Sequence, residues 1–448
     1  MSTGWEKSVN AVLAQHNHIR ANGKTASERT QTLTKEVVYT AFRRLHALGM
    51  NIENPVNLKP RHIEALVRDW WYVQKKKPKT IQNDLSRLRR FTTMMGKAGL
   101  VRSVSEYLPD VNPEALQVKN VAEKSKSWDA AGLDMVEIFR KVDEADNRLG
   151  LMLRMELAFG LRREEALKCK PHEQDGGTCL HILAGQGKGG RPRMILIKSQ
   201  YQREILDYVK KHVPKTESLG WPYTVRGKPA SLKQNLTRYR NMMQQLGFTK
   251  KDMGVTGHGL RAQFAENNAL MHDIMPPSLG GEKNQKEKED MQVQLGKLSE
   301  DMGHHRLCVM SSYYGSFKNS KNSTDSITSI IDRIPAWAGD IPEERRTDCI
   351  HIRNTLEEQK IDLSLKQIYT LWKSWSTRCG MEWVKPDNGI VTAIMTIAKT
   401  YSKNEEVKAI VEEQQQTGKP KKRAKRKSSS KTDKRTTDKH GHKDKKDS

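Results

Sequence analysis

The sequence has little cysteine and no long apolar run. Its 5 cysteines, at positions 169, 179, 308, 349 and 379, include no CxxC pair. This spacing argues against a disulfide framework or a zinc site and favours free thiols in a reducing compartment. No stretch approaches the roughly 18 apolar residues that a membrane-spanning helix needs. The first residues, MSTGWEKSVNAV, also lack the pattern of a signal peptide, so we expect a cytoplasmic protein without membrane contact.

Acidic residues are in short supply as well. Lys and Arg total 79 against 53 Asp and Glu, a net charge of +26 over 448 residues. The last segment, residues 418–448, holds 14 Lys and Arg and 4 Asp, or +10, so the rest of the chain carries +16. Solubility alone needs far less charge. Such an excess favours a polyanionic partner, because phosphate neutralisation with release of counterions drives binding to nucleic acid.

The first part of the chain has helical periodicity. In TIQNDLSRLRRFTTMMGKAGL, residues 80–100, apolar residues recur every three or four positions, and HIEALVRDWWYVQ, residues 62–74, is similarly amphipathic. This pattern predicts that residues 1–118 form a helical domain. Its basic helix faces could bind DNA, although such faces are often only solvated. The polar stretch KNVAEKSKS, residues 119–127, predicts a linker. The basic residues within 80–100 include Arg87, Arg89, Arg90 and Lys97.

From residue 128 to 324, helices alternate with one β-hairpin. Its arms are TCLHILAG, residues 178–185, and RPRMILIK, residues 191–198, and the glycines between them supply the turn. We predict that residues 325–417 form an accessory helical region, with enough tryptophan for a small separate core. Residues 418–448 have no core-forming residues and predict a disordered basic tail. The expected fold class is mainly α with a small β-sheet (α+β).

Four short motifs follow one another within residues 128–324. FGLRREEALK contains Arg162, GQGKGGRPR carries Lys188 at the tip of the hairpin, and HGLR places His258 and Arg261 one helical turn apart. MGHHRLCVMSSYY then has two adjacent histidines, followed nine residues later by two adjacent tyrosines. Each motif alone is common and is compatible with ordinary surface or core residues. Their order and spacing together are much more specific.

In that order and spacing, the motifs resemble the catalytic domain of the tyrosine recombinases, the integrases of phages and mobile elements. The family has an arginine in a G-L-R segment, a lysine in a hairpin turn, an H-x-x-R motif, and a G-H pair nine residues before the nucleophilic tyrosine. The resemblance covers about residues 128–317. Residues 1–118 are similar in kind to the core-binding domain of this family.

The resemblance implies a reaction that needs no metal and no cofactor. A tyrosine phenol attacks a phosphodiester and leaves a covalent 3′-phosphotyrosine, which conserves the bond for rejoining. Two guanidinium groups match the non-bridging oxygens of the phosphate, and a lysine on a hairpin turn can protonate the leaving 5′-oxygen. The implied site consists of Arg162 and Arg261 as the phosphate clamp, Lys188 as general acid, His258 in proton transfer from the phenol, His304 as a phosphate contact and Tyr313 as nucleophile, with Glu165 orienting its neighbours.

The choice between the two tyrosines depends on the glycine of the G-H pair. Only His304 directly follows a glycine, and nine residues beyond it lies Tyr313. On a helix, Tyr314 points about 100° away from its neighbour, so the two cannot share one role in one conformation. We therefore assign the nucleophile to Tyr313. His305 is then a second phosphate contact or an exposed residue.

Two features depart from the usual pattern of the family. Arg261 and His304 are separated by 42 residues, and the excess includes the charged insert 278–296, which predicts a surface loop or an extended helix and could alter contacts between protomers. The chain also continues for 135 residues beyond Tyr313. One hypothesis is that residues 325–417 add a domain that contacts DNA or a second subunit.

The sequence thus predicts a site-specific DNA recombinase that integrates or excises a mobile element. By resemblance, it would act on double-stranded DNA core sites as a homotetramer on paired sites, through a Holliday junction, with an accessory protein for DNA bending or directionality as a further possible partner. Its location would then be the cytoplasm, at the nucleoid. Three alternatives stay open: a type IB topoisomerase-like enzyme, a telomere resolvase, and a non-catalytic architectural DNA-binding protein.

Overall fold

A computed structural model describes residues 4–20, 23–118, 120–187, 192–283, 285–303, 307–317 and 340–400. Lys188, His304, His305 and the predicted disordered tail 418–448 lie outside these ranges. The residues up to Ala398 form one compact unit. This unit is mostly helical with one small sheet, so the predicted fold class is confirmed. In the described part of the chain, no helix is long and apolar enough to cross a membrane.

The N-terminal helices surround a hydrophobic core of their own, which extends from Trp5 to Leu116. Large apolar side chains such as Phe42, Trp70 and Phe91 are almost fully buried in it. A 3-10 turn, Pro55–Asn57, and a π-helical turn, Asp69–Val73, join the longer helices. These are Gly4–His16 (α1), Glu28–Ala47 (α2), Pro60–Arg68 (α3) and Pro78–Met94 (α4), followed by the short helices Val104–Tyr107 (α5) and Pro113–Leu116 (α6).

Helix α4 differs from its prediction in length and in the role of its basic residues. It ends at Met94 and does not reach residue 100, because Gly96 takes a left-handed conformation with φ of 72°. Arg89 donates hydrogen bonds to the carbonyl oxygens of Val101 and Arg102 at 3.1 and 2.8 Å. Arg90 and Lys97 likewise donate to loop carbonyls. These cations therefore hold loops in place and are not simply available to a polyanion.

The remaining named elements run from residue 129 to 378, and residues 388–400 are helical as well. A 3-10 turn, Asp129–Ala131, comes first, and another, Pro277–Leu279, lies at the start of the predicted insert 278–296. The helices and strands are Met135–Ala145 (α7), Asn147–Phe159 (α8), Arg163–Lys168 (α9), Pro171–Gln174 (α10), Cys179–Ile182 (β1), Arg193–Leu196 (β2), Gln200–Lys211 (α11), Leu232–Gln245 (α12), Gly257–Leu270 (α13), Lys288–Asp301 (α14), Leu307–Tyr314 (α15), Glu343–Glu358 (α16) and Leu365–Arg378 (α17).

The predicted hairpin forms as an antiparallel pair. In the described residues, strands β1 and β2 pair with Cys179 opposite Leu196 and Ile182 opposite Arg193. Leu180 and Ile195 are fully buried, whereas Met194 and Leu196 are exposed, as the alternation of side chains across a strand requires. The hairpin therefore lies with one face on the protein, and its turn leads toward the residues described below.

Helices α8 and α13 pack against each other at the centre of this part of the molecule. The Asp146 side chain caps α8 by accepting a hydrogen bond from the Leu149 amide at 2.9 Å. The helix ends at Gly160, whose φ of 59° is left-handed. A Cβ atom there would collide with the ring of Phe264 on α13. Glycine is therefore required in the G-L-R segment both by the backbone conformation and by the close approach of α13.

The C-terminal helices are joined to the central helices by a buried arginine. Trp372 and Trp375 are buried, and Arg378 at the end of α17 is fully buried against the central helices. Its guanidinium donates to Asp129 at 2.7 Å and to Glu266 at 2.6 Å, and its Nε donates to Asn267 at 2.6 Å. A buried cation must be paired, so this network joins α17 to α13. Trp337 lies outside the described residues.

Candidate functional site

Two arginines on different elements share one buried carboxylate. Glu165, on the first turn of α9, is only 1% exposed. Its oxygens accept hydrogen bonds from Arg162 Nη1 at 2.7 Å and from both terminal nitrogens of Arg193, at 2.8 and 2.7 Å. Burial acts to raise the pKa of this carboxyl, but Arg193 and Arg162 outweigh it and lower the pKa to about 2. The carboxylate thus fixes both guanidinium groups, which agrees with the orienting role expected of Glu165.

Arg261 lies at the buried end of the same site. It is 1% exposed, and its three nitrogens all have partners on neighbouring elements. The Nε donates to the hydroxyl of Tyr313 at 3.2 Å, and the two terminal nitrogens donate to the carbonyl oxygens of Gly160 and Met302. The guanidinium carbon lies 5.5 Å from the centre of the Tyr313 ring. Arg261 therefore joins the G-L-R segment, the G-H segment and the tyrosine.

The Met302 carbonyl oxygen shows that the two predicted clamp residues converge. It accepts from Arg261 and also from Arg162 Nη2, the latter at 3.4 Å. An oxygen acceptor can therefore lie between the two guanidinium groups, as the clamp requires of a phosphate oxygen. The adjacent Gly303 has a φ of 64°, and a Cβ there would lie 2.7 Å from Arg193 Cδ. Only glycine lets the G-H segment approach the hairpin so closely.

His258 faces the same tyrosine from the first turn of α13. Its ring centre lies 5.2 Å from that of Tyr313, with the planes tilted by 44°. Burial, and after it the charges of Arg261, Lys126 and Arg162, lower the pKa of His258 to about 4. The side chain is exposed, so solvent screens part of this effect. A lowered pKa favours the neutral ring at pH 7, and a neutral imidazole can accept a proton.

The two neighbouring tyrosines have different surroundings. Both are buried, Tyr313 being 5% and Tyr314 3% exposed. The Tyr313 hydroxyl is beside Arg261, whereas the Tyr314 ring packs at 6.2 Å from the ring of Phe317. Burial alone raises the pKa of Tyr314, which disfavours its phenolate. The helix therefore separates the tyrosines as predicted, with Tyr313 toward the arginines.

The hairpin turn also reaches the site, although Lys188 itself is outside the described residues. A Cβ on Gly187 would lie 2.8 Å from Glu165 Oε1, so the backbone just before Lys188 touches the shared carboxylate. Beyond β2, the Nζ of Lys198 contacts Asp301 of α14 at 2.5 Å. The expected insert is thus partly the helix α14, which is tied to the hairpin and leads directly into the G-H segment. His304 and His305 are outside the described residues.

A buried acid lies beneath the site. Glu156 of α8 is 1% exposed and accepts hydrogen bonds from the Tyr239 hydroxyl at 3.0 and 3.1 Å. Burial raises its pKa to about 8, against the lowering effects of Tyr239, Arg163 and Arg261. In the described ranges, no group of three or more His, Cys, Asp or Glu is arranged to hold a metal ion.

Two residues of the site were not predicted from the sequence. Arg193 was part of the hairpin motif, but the sequence did not indicate which of its basic residues would bind Glu165. Arg193 lies opposite Ile182, on the same face as Leu180 and Ile195 two residues along, and this position depends on the register of the strands. Lys126 was assigned to the linker, yet its charge acts on His258. No local motif marks Lys126, because only the tertiary fold brings it close to His258.

Two protein-family models match successive parts of the chain. The family described as "Phage integrase, N-terminal" matches residues 11–101, and the family described as "Integrase" matches residues 120–267. The second match includes Arg162, His258 and Arg261, whereas Tyr313 follows it. No curated protein compared with the chain is significantly similar to it.

Several solved structures are similar to the chain at low sequence identity. A lambda integrase dimer bound to a COC′ core site has 15% identity, with 70% of this chain and 96% of that one covered and a TM-score of 0.45. The Tn1549 transposon integrase in complex with circular intermediate DNA has 15% identity, with 71% and 97% covered and a TM-score of 0.43. XerA recombinase has 14% identity, with 70% and 95% covered and a TM-score of 0.27.

Proposed function

Since the chain belongs to the integrase family of tyrosine recombinases, we propose that it cuts and rejoins DNA through a 3′-phosphotyrosine on Tyr313. The reaction would integrate or excise a mobile element at a specific site. The observation that supports this best is the 3.2 Å hydrogen bond between the Tyr313 hydroxyl and Arg261, with the neutral His258 ring beside the same phenol.

The reaction balances without an oxidant, a metal or a cofactor. The Tyr313 oxygen attacks the phosphorus, and His258 takes the phenolic proton. The bond from phosphorus to the 5′-oxygen breaks, and Lys188 protonates that oxygen, which leaves as a hydroxyl. Arg162 and Arg261 stabilise the charge on the non-bridging oxygens, with His304 as a further phosphate contact. Attack by a 5′-hydroxyl of another strand reverses these steps and rejoins the DNA.

The arginine clamp has the preorganisation that this chemistry needs. Glu165 holds Arg162, and the Gly160 carbonyl holds Arg261, so neither guanidinium has to be ordered when DNA binds. Groups fixed in advance lower the free energy of a transition state without reorganisation during the reaction. The Met302 carbonyl accepts from both arginines, at the position that the proposed mechanism gives to a phosphate oxygen.

The partner of the proposed reaction is double-stranded DNA. A net charge of +26 supports binding to the phosphate backbone, with affinity that falls steeply as salt rises. Recombination needs two paired sites, so we propose a homotetramer that exchanges strands stepwise through a Holliday junction. We propose an accessory protein that bends DNA or sets directionality as a further partner.

Covalent trapping tests the proposal. Wild type, Tyr313→Phe and Tyr314→Phe would each be incubated with nicked suicide DNA taken from the sequences that flank the gene. The readout is a protein–DNA adduct that resists SDS. We expect an adduct with wild type and Tyr314→Phe and none with Tyr313→Phe. Tyr314→Phe is a matched control, because it removes the same hydroxyl from an equally buried neighbour.

Other outcomes separate the alternatives. Loss of the adduct only in Tyr314→Phe would keep the mechanism and move the nucleophile by one residue. Relaxation of a supercoiled plasmid that lacks any flanking site would favour a topoisomerase-like activity. Tight DNA binding by wild type with no adduct on any flanking sequence would overturn the proposal in favour of an architectural protein.

A further inference from the structure

The described part of the helix that carries Tyr313 is short. It has 8 residues, Leu307–Tyr314, and isolated helices of fewer than about 12 residues are marginal in water. The carbonyls of a helix's last turn have no backbone N–H donors within the helix itself; here the Gly315 amide, just beyond the helix, donates to the Ser311 carbonyl at 3.1 Å. Contacts with other parts of the chain must therefore decide how firmly this helix, and with it the phenol, is held.

Two of these contacts come from the segment between the N-terminal and catalytic parts, residues 120–127, which we call the linker. The Ala122 amide donates to the Ser311 carbonyl at 2.9 Å, and the Lys126 Nζ donates to the Ser312 carbonyl at 2.9 Å. Both acceptors lie in the last turn of α15. A Cβ on Gly315, which follows the helix, would lie 3.2 Å from the Ala122 carbonyl, so the linker backbone packs closely there.

The same linker also touches the helix that carries the histidine and the second arginine. A Cβ on Gly259 in the H-G-L-R motif would lie 2.6 Å from the Lys126 carbonyl oxygen. Just after the linker, the Trp128 indole donates to the Thr256 carbonyl at 2.8 Å, immediately before α13. The linker therefore lies against the ends of two helices, one with His258 and one with Tyr313.

The beginning of the linker contacts the N-terminal helical domain. Lys79, on the first turn of α4, donates to the Asn120 side chain at 3.0 Å. A short path of contacts thus leads from α4 through the linker to the last turn of α15. A polar, core-poor segment needs none of these contacts if it serves only as a tether between two parts of a protein.

We propose that the linker is a clasp that holds Tyr313 in place for strand cleavage, and that Lys126 is its principal positioning residue. This inference rests on the proposed function. A lysine at the carbonyl end of a helix both supplies a hydrogen-bond donor and complements the negative end of the helix dipole. Lys126 also adds positive charge beside His258 and so helps to keep that ring neutral. Through Asn120 and Lys79, the clasp connects DNA contact by the N-terminal domain with the position of the nucleophile.

The test compares Lys126→Met with Lys124→Met in the full-length protein. Lys124 is an exposed residue of the same segment with the same charge, so it controls for the loss of a cation near DNA. Single-turnover adduct formation would be measured at saturating suicide DNA, together with DNA affinity. We expect Lys126→Met to cleave about fivefold more slowly while binding DNA as Lys124→Met does. Lys126→Arg should restore most of the rate.

The pH profile gives a readout that a purely structural role would not change. Removal of the Lys126 charge favours the protonated form of His258 and therefore raises the pKa of this histidine. The acid limb of the cleavage profile should shift to higher pH in Lys126→Met and stay in place in Lys124→Met. The other cations that act on His258, Arg261 and Arg162, are unchanged in both variants.

Hydrogen exchange tests the clasp without any catalytic readout. Amides in residues 307–317 should exchange several-fold faster in Lys126→Met than in Lys124→Met. If wild type forms no adduct, the proposed function fails, and equal exchange in the two variants would reject the clasp separately. If wild type forms the adduct but the two variants cleave and exchange alike, the clasp is overturned and the proposed function stands.

Discussion

The Tyr313 hydroxyl and the Arg261 Nε lie 3.2 Å apart, so the proposed nucleophile and one proposed phosphate ligand are in direct contact. Arg261 has two further partners, the carbonyls of Gly160 and Met302. The same guanidinium therefore supports three elements of the site. Its role in the fold and its role toward the phosphate are not separable, and a substitution has to be interpreted with both in mind.

Replacement of Arg261 by methionine should affect both catalysis and stability. Loss of one fixed donor to a developing charge typically lowers a rate by about 10²- to 10³-fold. Buried carbonyls left without a donor cost about 1–3 kcal/mol each. Adduct formation with suicide DNA and urea unfolding measure the two effects. Arg163→Met is the matched control, because Arg163 is exposed and adjacent to the G-L-R segment; an equal loss of rate in both variants would contradict the role of Arg261.

Glu165→Gln should weaken the hydrogen bonds that hold the guanidinium groups of Arg162 and Arg193. A pKa of about 2 in the folded protein, against 4.5 ordinarily, corresponds to stabilisation on the order of 3 kcal/mol. Because the folded pKa is depressed, this contribution is present above pH 4.5 and is lost as the pH falls toward 2. Unfolding at pH 7 should show a loss of that order, together with slower adduct formation.

The neighbouring Glu164 provides the control for this variant. Glu164 is exposed and pairs only at the surface with Lys168, at 2.7 Å. Surface ion pairs of this kind contribute about 0–1 kcal/mol. Glu164→Gln should therefore leave stability and cleavage nearly unchanged. A small effect of Glu165→Gln, comparable to that of Glu164→Gln, would show that the shared carboxylate does not organise the site.

The sequence indicated the parts of the site that depend on local spacing. The one-turn separation of His258 and Arg261 puts both on one helix face, and Tyr313 follows from the distance to the G-H pair. It did not indicate contacts between distant positions. Lys126 and Ser312 are 186 residues apart, and Asp129 and Arg378 are 249 residues apart. Such contacts depend on tertiary packing, which periodicity and motif spacing do not encode.

The buried pair Glu156 and Tyr239 should make stability depend on pH. The folded pKa of Glu156, about 8, lies above its ordinary value of 4.5. Its contribution to stability is therefore fully present below pH 4.5 and is lost as the pH rises toward 8. Each unit of the shift is worth about 1.4 kcal/mol, so the free energy of unfolding should fall by a few kcal/mol between pH 5 and 8. Glu156→Gln should remove this component.

The measurement for Glu156 is urea unfolding at pH 5 and pH 8 in wild type, Glu156→Gln and Glu144→Gln. Glu144 is an exposed residue that pairs with Arg140 at 2.6 Å, so it controls for the loss of a carboxylate elsewhere on the surface. Glutamine keeps an oxygen that can accept from the Tyr239 hydroxyl. An unchanged difference between the two pH values in Glu156→Gln would mean that Glu156 is ionised in the folded protein.

Arg378 shows whether the C-terminal helices are part of the catalytic fold or an appendage. Its side chain is fully buried and pairs with Asp129 and Glu266, two carboxylates of the central part. Removal of one partner from a buried ion-pair network typically costs about 3–5 kcal/mol, because the remaining charges stay buried without compensation. Arg378→Met should therefore lower the free energy of unfolding by that order, measured by urea unfolding at pH 7.

Arg353→Met is the control for Arg378, since Arg353 lies on α16 and pairs with Glu357 at 2.6 Å on the surface. That variant should change stability by less than about 0.5 kcal/mol. Glu266 and Asn267, the partners of Arg378, lie on α13, so the effect of Arg378 should extend to this central helix, which carries Arg261. Faster hydrogen exchange across α13 in Arg378→Met is then expected. If α13 remained as protected as in wild type while only α16 and α17 opened, the C-terminal helices would be an independent unit after all.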